Sequence, residues 1–300
     1  MQSVVIRVPG STSNLGPGFD SLGIALRTYN RVEVTPRSGR DPRIISDIGE
    51  SDRGPATQLV AEAARAFGRR ARKPVPGFDI HLSGDVPIAR GLGSSVTVRL
   101  GTIAALNELS GNPLSREDLF DVVAQLEGHP DNAAPAAFGG FTASGMIDGK
   151  ARCIRFAVPT RFRFVTLIPN FEVPTPEARR LVPDSFSKAD AIHNLTRTAL
   201  ITAGFARGDA EALRGVFDDR FHQPYREALI PQLTRVLRAG SRAGAIGGWL
   251  SGSGSTIICL AADAEPTEAI GKAMLKALPG SEIRILAADS NGFRIQNRGG

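Results

Sequence analysis

Apolar and polar residues alternate with a period of two over residues 3–8, 31–36 and 78–83, which predicts strands there. Between them an Ala-rich run at 58–67 has its apolar residues at helical spacing. After Ser94-Ser95, Val96, Leu100, Ile103 and Asn107 fall on one helical stripe and Val98, Thr102 and Ala105 on another, so this helix is expected to be buried over much of its circumference. A further helix at 116–126 stops at Gly128, which puts Glu127 at its C-terminal end and His129, Asp131 and Asn132 in the following turn.

Beyond residue 152 the pattern predicts strands at 155–158 and 163–168, then a Pro-punctuated loop. Helices follow at 188–207, 209–221 and 226–239, strands at 247–250 and 256–261, a helix at 265–278, and strands at 282–287 and 293–295. Strand runs broken by helix pairs predict an α+β fold rather than a regular doubly wound sheet. A length of 300 residues favours two domains, divided near residue 155 into 1–155 and 156–300.

Composition narrows the function classes. Hydrophobic content of 42% and charged content of 22% fit a soluble globular protein. No apolar run approaches the ~20 residues that span a bilayer, and no basic segment leads into a long apolar stretch at the N-terminus, so a cytoplasmic protein without a membrane partner is expected. Only Cys153 and Cys259 occur, each in a strand-like run, which excludes a disulfide framework or a CxxC metal site and predicts buried free thiols. The net charge of +6 is poorly clustered: the one basic group, Arg69-Arg70-Ala71-Arg72-Lys73, precedes Pro74 as a solvated loop would. With aromatic residues at 6% and none interleaved with basic ones, no nucleic-acid partner is expected, and an anionic small substrate accounts for the excess charge.

The most informative chemistry lies in Pro87-Ile88-Ala89-Arg90-Gly91-Leu92-Gly93-Ser94-Ser95, between a strand pattern and the long helix. Glycines and serines there let the backbone turn tightly, so that successive N–H groups face one hollow at the mouth of the helix, a cradle for phosphates. It lacks the Lys of a Walker loop, so positive charge must come from the helix N-terminus, a metal or Arg90. Alone, such a loop is equally a turn that caps a helix through Ser94 or Ser95. Three other elements accompany it: Asn14-Leu15-Gly16-Pro17-Gly18-Phe19-Asp20, Glu127-Gly128-His129-Pro130-Asp131-Asn132, and a glycine-dense stretch from Gly247 through Gly252-Ser253-Gly254-Ser255.

That set, in that order, resembles the GHMP kinase superfamily and, within it, the homoserine kinases. His193-Asn194-Leu195-Thr196-Arg197 and His222-Gln223-Pro224-Tyr225-Arg226 extend the resemblance over nearly the whole chain. It implies a two-domain GHMP kinase fold, with an N-terminal domain like that of a ribosomal protein and a ferredoxin-like C-terminal domain, the ligands lying between them. It implies ATP-dependent phosphorylation of the L-homoserine hydroxyl to O-phospho-L-homoserine, on the way to threonine, with Mg²⁺; a homodimer is an expectation of the resemblance alone.

The resemblance also implies roles. Residues 91–95, with Pro87 and Arg90, would hold the nucleotide's β- and γ-phosphates, and Ser95 and Glu127 would ligate Mg²⁺. Asn14 and Asp20 would hold the amino-alcohol end of homoserine, Asp20 near the reacting hydroxyl as an orienting group. Arg197 and Arg226 would bind the carboxylate, because planar guanidinium forks suit it. His129, Asp131 and Asn132 would complete the amino acid pocket, and Gly252 would let backbone approach closely. For phosphoryl transfer these are the parts required, since acceleration comes from alignment and charge neutralisation. If they act together, Asn14, Ser95 and Arg197 share one cleft.

Three departures from the family pattern stand out. Val96, Thr97 and Arg99 replace small alanines after the two serines, so either bulk displaces the helix from the nucleotide or Arg99 faces solvent. Ser255 stands where the family has Pro, and Gly10-Ser11-Thr12-Ser13 replaces an Ala-rich stretch. Two alternatives remain: a GHMP kinase for another small alcohol, against which residues 127–132, Arg197 and Arg226 argue, and a catalytically silent protein of the same fold, which the residues after Ser95 keep open.

Overall fold

The alternating pattern near the N-terminus continues as β1 (Val4–Ser13), paired antiparallel with β2 (Leu22–Pro36) along its length in the computed structural model, which describes residues 3–39, 41–46 and 49–296. A short strand β3 (Pro42–Ile44), a long helix α1 (Glu50–Ala71) and strand β4 (Phe78–Gly84) follow. Next come α2 (Ser94–Leu109), α3 (Arg116–Glu127) and α4 (Ala133–Phe138), then the hairpin β5 (Phe141–Ile147) and β6 (Lys150–Phe156). The first sheet is ordered β11 (Arg294–Gln296), β1, β2, β4, β3. β2 forks, pairing with β4 through residues 30–36 and with β5 through residues 22–24.

The second half supplies β7 (Arg163–Ile168), α5 (Thr175–Arg180), α6 (Lys188–Arg207), α7 (Gln223–Arg226) and α8 (Leu233–Arg242). It ends with β8 (Gly247–Leu250), β9 (Ile257–Ala261), α9 (Thr267–Ala277) and β10 (Glu282–Leu286). Its sheet is antiparallel, ordered β10-β7-β9-β8. Two sheets with helices packed on them give the α+β fold expected from the sequence. The chain assigned to the C-terminal region ends on the first sheet, where Ile295 of β11 faces Ile6 of β1 in register.

Three apolar clusters hold these layers. Phe67, Phe78, Leu100 and Ile103 lie between the first sheet and α1 to α3, and Val165, Cys259, Ile270 and Met274 between the second sheet and α8 and α9. A middle cluster contains Leu15, Leu26, Phe141, Phe164, Phe205 and Trp249, so residues from both sheets and α6 share one core. α2 is buried from Val96 to Asn107 except at Arg99, as its double stripe predicts.

Two helices expected from periodicity differ. Residues 209–221 form turns: Gly208 caps α6 in the left-handed region, the Asp209 carboxylate accepts the N–H groups of Glu211 and Ala212, and Gly215 turns the chain again at φ 75°. Apolar spacing there reflects Leu213 and Phe217 entering the middle core separately. Of the span 226–239 only residues 233–239 are helical, at the start of α8; Arg226 ends α7 and residues 227–232 are turns, because Pro231 has no N–H to donate and disfavours helical backbone at Ile230.

Candidate active site

Four segments far apart in sequence are tied together by their own polar side chains. Trp249 Nε1 donates to Thr12 Oγ1 at 2.9 Å, and Ser251 Oγ donates to the Gly91 carbonyl at 2.6 Å while lying 2.9 Å from Thr12 Oγ1. Ser11 Oγ donates to Asn132 Oδ1 at 2.9 Å, and Asn132 Nδ2 donates to Ser13 Oγ at 3.0 Å. The departure from the family pattern at Ser11-Thr12-Ser13 is therefore the knot that joins the other loops. Asn14 extends it: Nδ2 donates to the Gly252 carbonyl at 3.1 Å, and Oδ1 accepts the Asp20 N–H at 3.0 Å. Asn14, Leu15 and Asp20 all have left-handed backbone, at φ 70°, 48° and 56°. Asn and Asp enter that region more readily than other side chains, but Leu15 holds it only where its surroundings enforce it, which occurs often at ligand sites.

These loops enclose a cavity of about 850 Å³. Part of its lining is the loop before α2. Gly93 caps the helix at φ 71°, and Gly91, at φ 74°, leaves no room for a side chain, since a Cβ would stand 2.1 Å from the Ser251 carbonyl oxygen. The first-turn N–H groups of Ser94 and Ser95 in α2, which have no helical acceptors, belong to residues of this lining, with the positive pole of the helix behind them. Ser95 Oγ donates to Glu127 Oε2 at 3.2 Å. Glu127 is the last residue of α3, placed by a capping box at Ser115 and Asp118 and by the left-handed cap Gly128. A carboxylate at a helix C-terminus calls for a cation. Arg99 supplies one, 2.5 Å from Glu127 Oε1 and 2.8 Å from Glu62 Oε2. Burial lowers the tendency of that guanidinium to stay charged, but Glu127 and Glu62 outweigh it and raise its pKa.

Two guanidinium groups converge on another part of the lining. Arg226, from α7, is 2% exposed and donates through Nη1 to the Gly252 carbonyl at 2.9 Å and to His222 Nδ1 at 3.1 Å. Arg179, from α5, grips Asp20 with both terminal nitrogens at 3.1 and 2.7 Å. Both cations lie over the Phe19 ring, at 5.3 and 5.7 Å from its centroid. Burial pulls the Arg226 pKa down to about 10, with Arg179 adding to the effect. Burial also pushes His222 down to about 4, so it is neutral; its Nε2–H donates to the Gly16 carbonyl at 2.9 Å and Nδ1 accepts from Arg226. His129 and Asp131 form a buried pair at 2.5 Å. Burial opposes the charged imidazole, yet the Asp131 carboxylate prevails and raises His129. Asp20, His129 and Asp131 present ligand atoms within 4.8 Å of one another, but Arg179 and the Asn132 N–H already engage this cluster.

Most of the expected residues meet here. Asn14, Asp20, Arg90, Gly91, Gly93, Ser94, Ser95, Glu127, His129, Asp131, Asn132, Arg226 and Gly252 line the cavity; Pro87, Leu92 and Arg197 do not. Leu92 is buried in the middle core. Arg197 stays on α6, its Nη1 donating to the His193 carbonyl one turn back at 3.5 Å, so Asn14 and Ser95 share the cleft without it. Arg90 lines the wall but commits its guanidinium to the Pro169 and Asn170 carbonyls and to Glu172. The bulk after Ser95 is absorbed: Val96 and Thr97 are buried in α2, and Arg99 faces two carboxylates rather than solvent. Sequence reasoning missed Arg179, Arg99 and Glu62. For Arg179 a signal existed, because Pro176, Glu177 and Arg179 follow the Pro-first, acid-then-base order of a short helix.

Comparison with known proteins agrees with this geometry. Models of the N-terminal and C-terminal domains of GHMP kinases match residues 58–140 and 201–280. Homoserine kinase of Microchaete diplosiphon is 39% identical over 100% of this chain and 99% of that protein. The one from Nostoc sp. is 40% identical over 97% and 98%. The crystal structure of homoserine kinase from Cytophaga hutchinsonii superimposes with a TM-score of 0.89 at 26% identity, covering 99% of this chain and 98% of that one. Sequence identity of this order over whole chains, with both domains matched, means that the chain belongs to the homoserine kinases of the GHMP kinase superfamily.

Proposed function

We propose that the protein transfers the γ-phosphoryl group of ATP to the side-chain hydroxyl of L-homoserine, giving O-phospho-L-homoserine and ADP, as a cytoplasmic enzyme of threonine biosynthesis. One observation carries this reading. A single cavity is lined both by a helix N-terminus with a glycine-rich loop and by two guanidinium groups, Arg179 and Arg226. The first suits a polyphosphate and the second a carboxylate, the two groups that ATP and homoserine bring to one cleft.

In this reading the backbone of residues 91–95 binds the β- and γ-phosphates. Ser95 Oγ and Glu127 Oε2 are hard oxygen donors 3.2 Å apart, a set that fits Mg²⁺, which when bound would neutralise charge on the phosphate oxygens. Arg179, in place of Arg197, shares the substrate carboxylate with Arg226. Asp131 and His129 offer the polar wall for the ammonium group. Asp20, held by Arg179 and by its own N–H to Asn14, orients the hydroxyl toward the γ-phosphate; a loose transition state requires little early proton removal. Asn14 fixes this loop to Gly252 and lines the cavity beside Asp20, where it can reach the amino-alcohol end of the substrate.

A coupled ADP-release assay over homoserine, serine, 3-aminopropan-1-ol and mevalonate tests the proposal. Turnover that needs both Mg²⁺ and L-homoserine is expected, and stimulation by mevalonate without stimulation by homoserine would refute it.

A further inference from the structure

A continuous run of polar side chains follows one wall of the cavity from α1 to the phosphate loop. Gln58 Nε2 donates to Glu62 Oε1 at 2.9 Å, Arg99 Nη2 donates to Glu62 Oε2 at 2.8 Å, Arg99 Nη1 donates to Glu127 Oε1 at 2.5 Å, and Ser95 Oγ donates to Glu127 Oε2 at 3.2 Å. All five residues line the cavity. The Arg99 and Glu127 side chains are only 13% and 11% exposed. Arg99 Nε is buried with no hydrogen-bond partner among the described residues, so the two carboxylates alone set where the guanidinium lies.

We infer that Arg99 is a positioning residue: it occupies Oε1 of Glu127 so that Oε2 alone is presented to Ser95 and the phosphate end, and Glu62 braces it from the other side. A carboxylate on the last residue of a helix has several rotamers open to it and an unfavourable dipole behind it. One arm of a planar fork, anchored at its other arm, removes that freedom. The sequence departs from the family's small residues at the position that makes this possible, and α2 tolerates the change because Arg99 points along the cavity wall rather than into the helix packing.

The inference rests on the reading of Glu127 as a group that holds Mg²⁺, and the test separates the two. ATP binding is measured by calorimetry with and without Mg²⁺ for the wild type, Glu127→Gln, Arg99→Met, Arg99→Lys, Glu62→Gln and the double variant Arg99→Met/Glu127→Gln, with thermal melts to confirm folding. The readout is the factor by which Mg²⁺ tightens ATP. Loss of an outer partner of a metal-holding group typically weakens such binding about 10–100-fold, so Arg99→Met should lower the factor at least tenfold and Glu62→Gln by less. Arg99→Lys should restore part of it, and Arg99→Met should add nothing to Glu127→Gln. A purely electrostatic role gives the opposite sign, because removing a cation beside the metal would tighten Mg²⁺. A factor that rises or is unchanged in Arg99→Met, while Glu127→Gln abolishes it, overturns the positioning role and leaves the metal reading intact. A wild-type factor in Glu127→Gln overturns both. Independent, additive losses would mean that Arg99 acts on the nucleotide directly, which also overturns it.

Discussion

Replacing Arg179 by Met is the sharpest test of how the cavity chooses its substrate. A charged hydrogen bond is worth about 1.5–3 kcal/mol, and a two-pronged guanidinium contact offers two of them. Two features of the structure reduce that figure. The Arg179 side chain is 37% exposed, and before substrate arrives it already grips Asp20, so the substrate carboxylate gains only the difference between the two partners. About 2 kcal/mol is then left, or roughly a 30-fold rise in KM for L-homoserine. The KM for ATP should stay within about twofold, and the melting temperature should hardly move, since exposed ion pairs contribute about 0–1 kcal/mol. The assay is steady-state ADP release with L-homoserine and with 3-aminopropan-1-ol, which lacks the carboxylate. The wild type should prefer homoserine strongly, and the variant should lose most of that preference. An unchanged homoserine KM, or an equal rise for both substrates, would refute the reasoning; the second result would mean that the variant acts by releasing Asp20.

Other outcomes follow from individual contacts. Gly91→Ala places a methyl group against the Ser251 carbonyl in left-handed backbone, so the melting temperature should fall and ATP affinity should drop by more than about tenfold in calorimetry. Because burial holds His222 near 4 in the folded chain, whereas an unfolded histidine titrates near about 6.5, the unfolded state gains protons first on acidification. Stability should be full above about pH 6.5 and be lost toward pH 4 by roughly 3 kcal/mol; denaturant titrations should show a smaller acid loss in His222→Gln, and identical slopes would contradict this. Trp249→Phe removes the donor to Thr12, so unfolding free energy should fall by about 1–3 kcal/mol in urea titrations, with a loss of ATP affinity if the knot positions the phosphate loop. Burial pushes the Cys153 and Cys259 thiols up to about 11 and about 12, so a disulfide reagent near neutral pH should label Cys259 only on unfolding; rapid labelling of the native protein would be the contrary result.

What the sequence makes legible here is what local chemistry decides. The turn at Gly93, the buried helix after it, and the placement of Glu127 by Ser115 and Gly128 all depend on neighbours within a few residues. Glycine-dense loops likewise announce themselves, because only glycine tolerates the close approach seen at Gly91. Where tertiary partners decide, the sequence is silent. Arg197 and Arg179 are both arginines in plausible surroundings, and only folding shows that one turns back along α6 while the other reaches Asp20. Arg99 reads as an intruder until Glu62 and Glu127, 37 and 28 residues away, are seen around it. The stretch 209–221 misleads because its apolar residues enter the core one at a time from turns, at a spacing that happens to mimic a helix.

The pairing of β11 with β1 makes the opening strand wait for the closing one. During synthesis at about 5–20 residues per second, Val4–Ser13 leaves the ribosome tens of seconds before Arg294–Gln296, about 280 residues later, can cover its free side. Throughout that interval the nascent protein carries a bare strand edge that can recruit a neighbouring polypeptide. A ribosome stalled just before codon 290 should therefore yield a product prone to pair with its own copies, and supplying the missing tail as a free peptide should suppress that clumping.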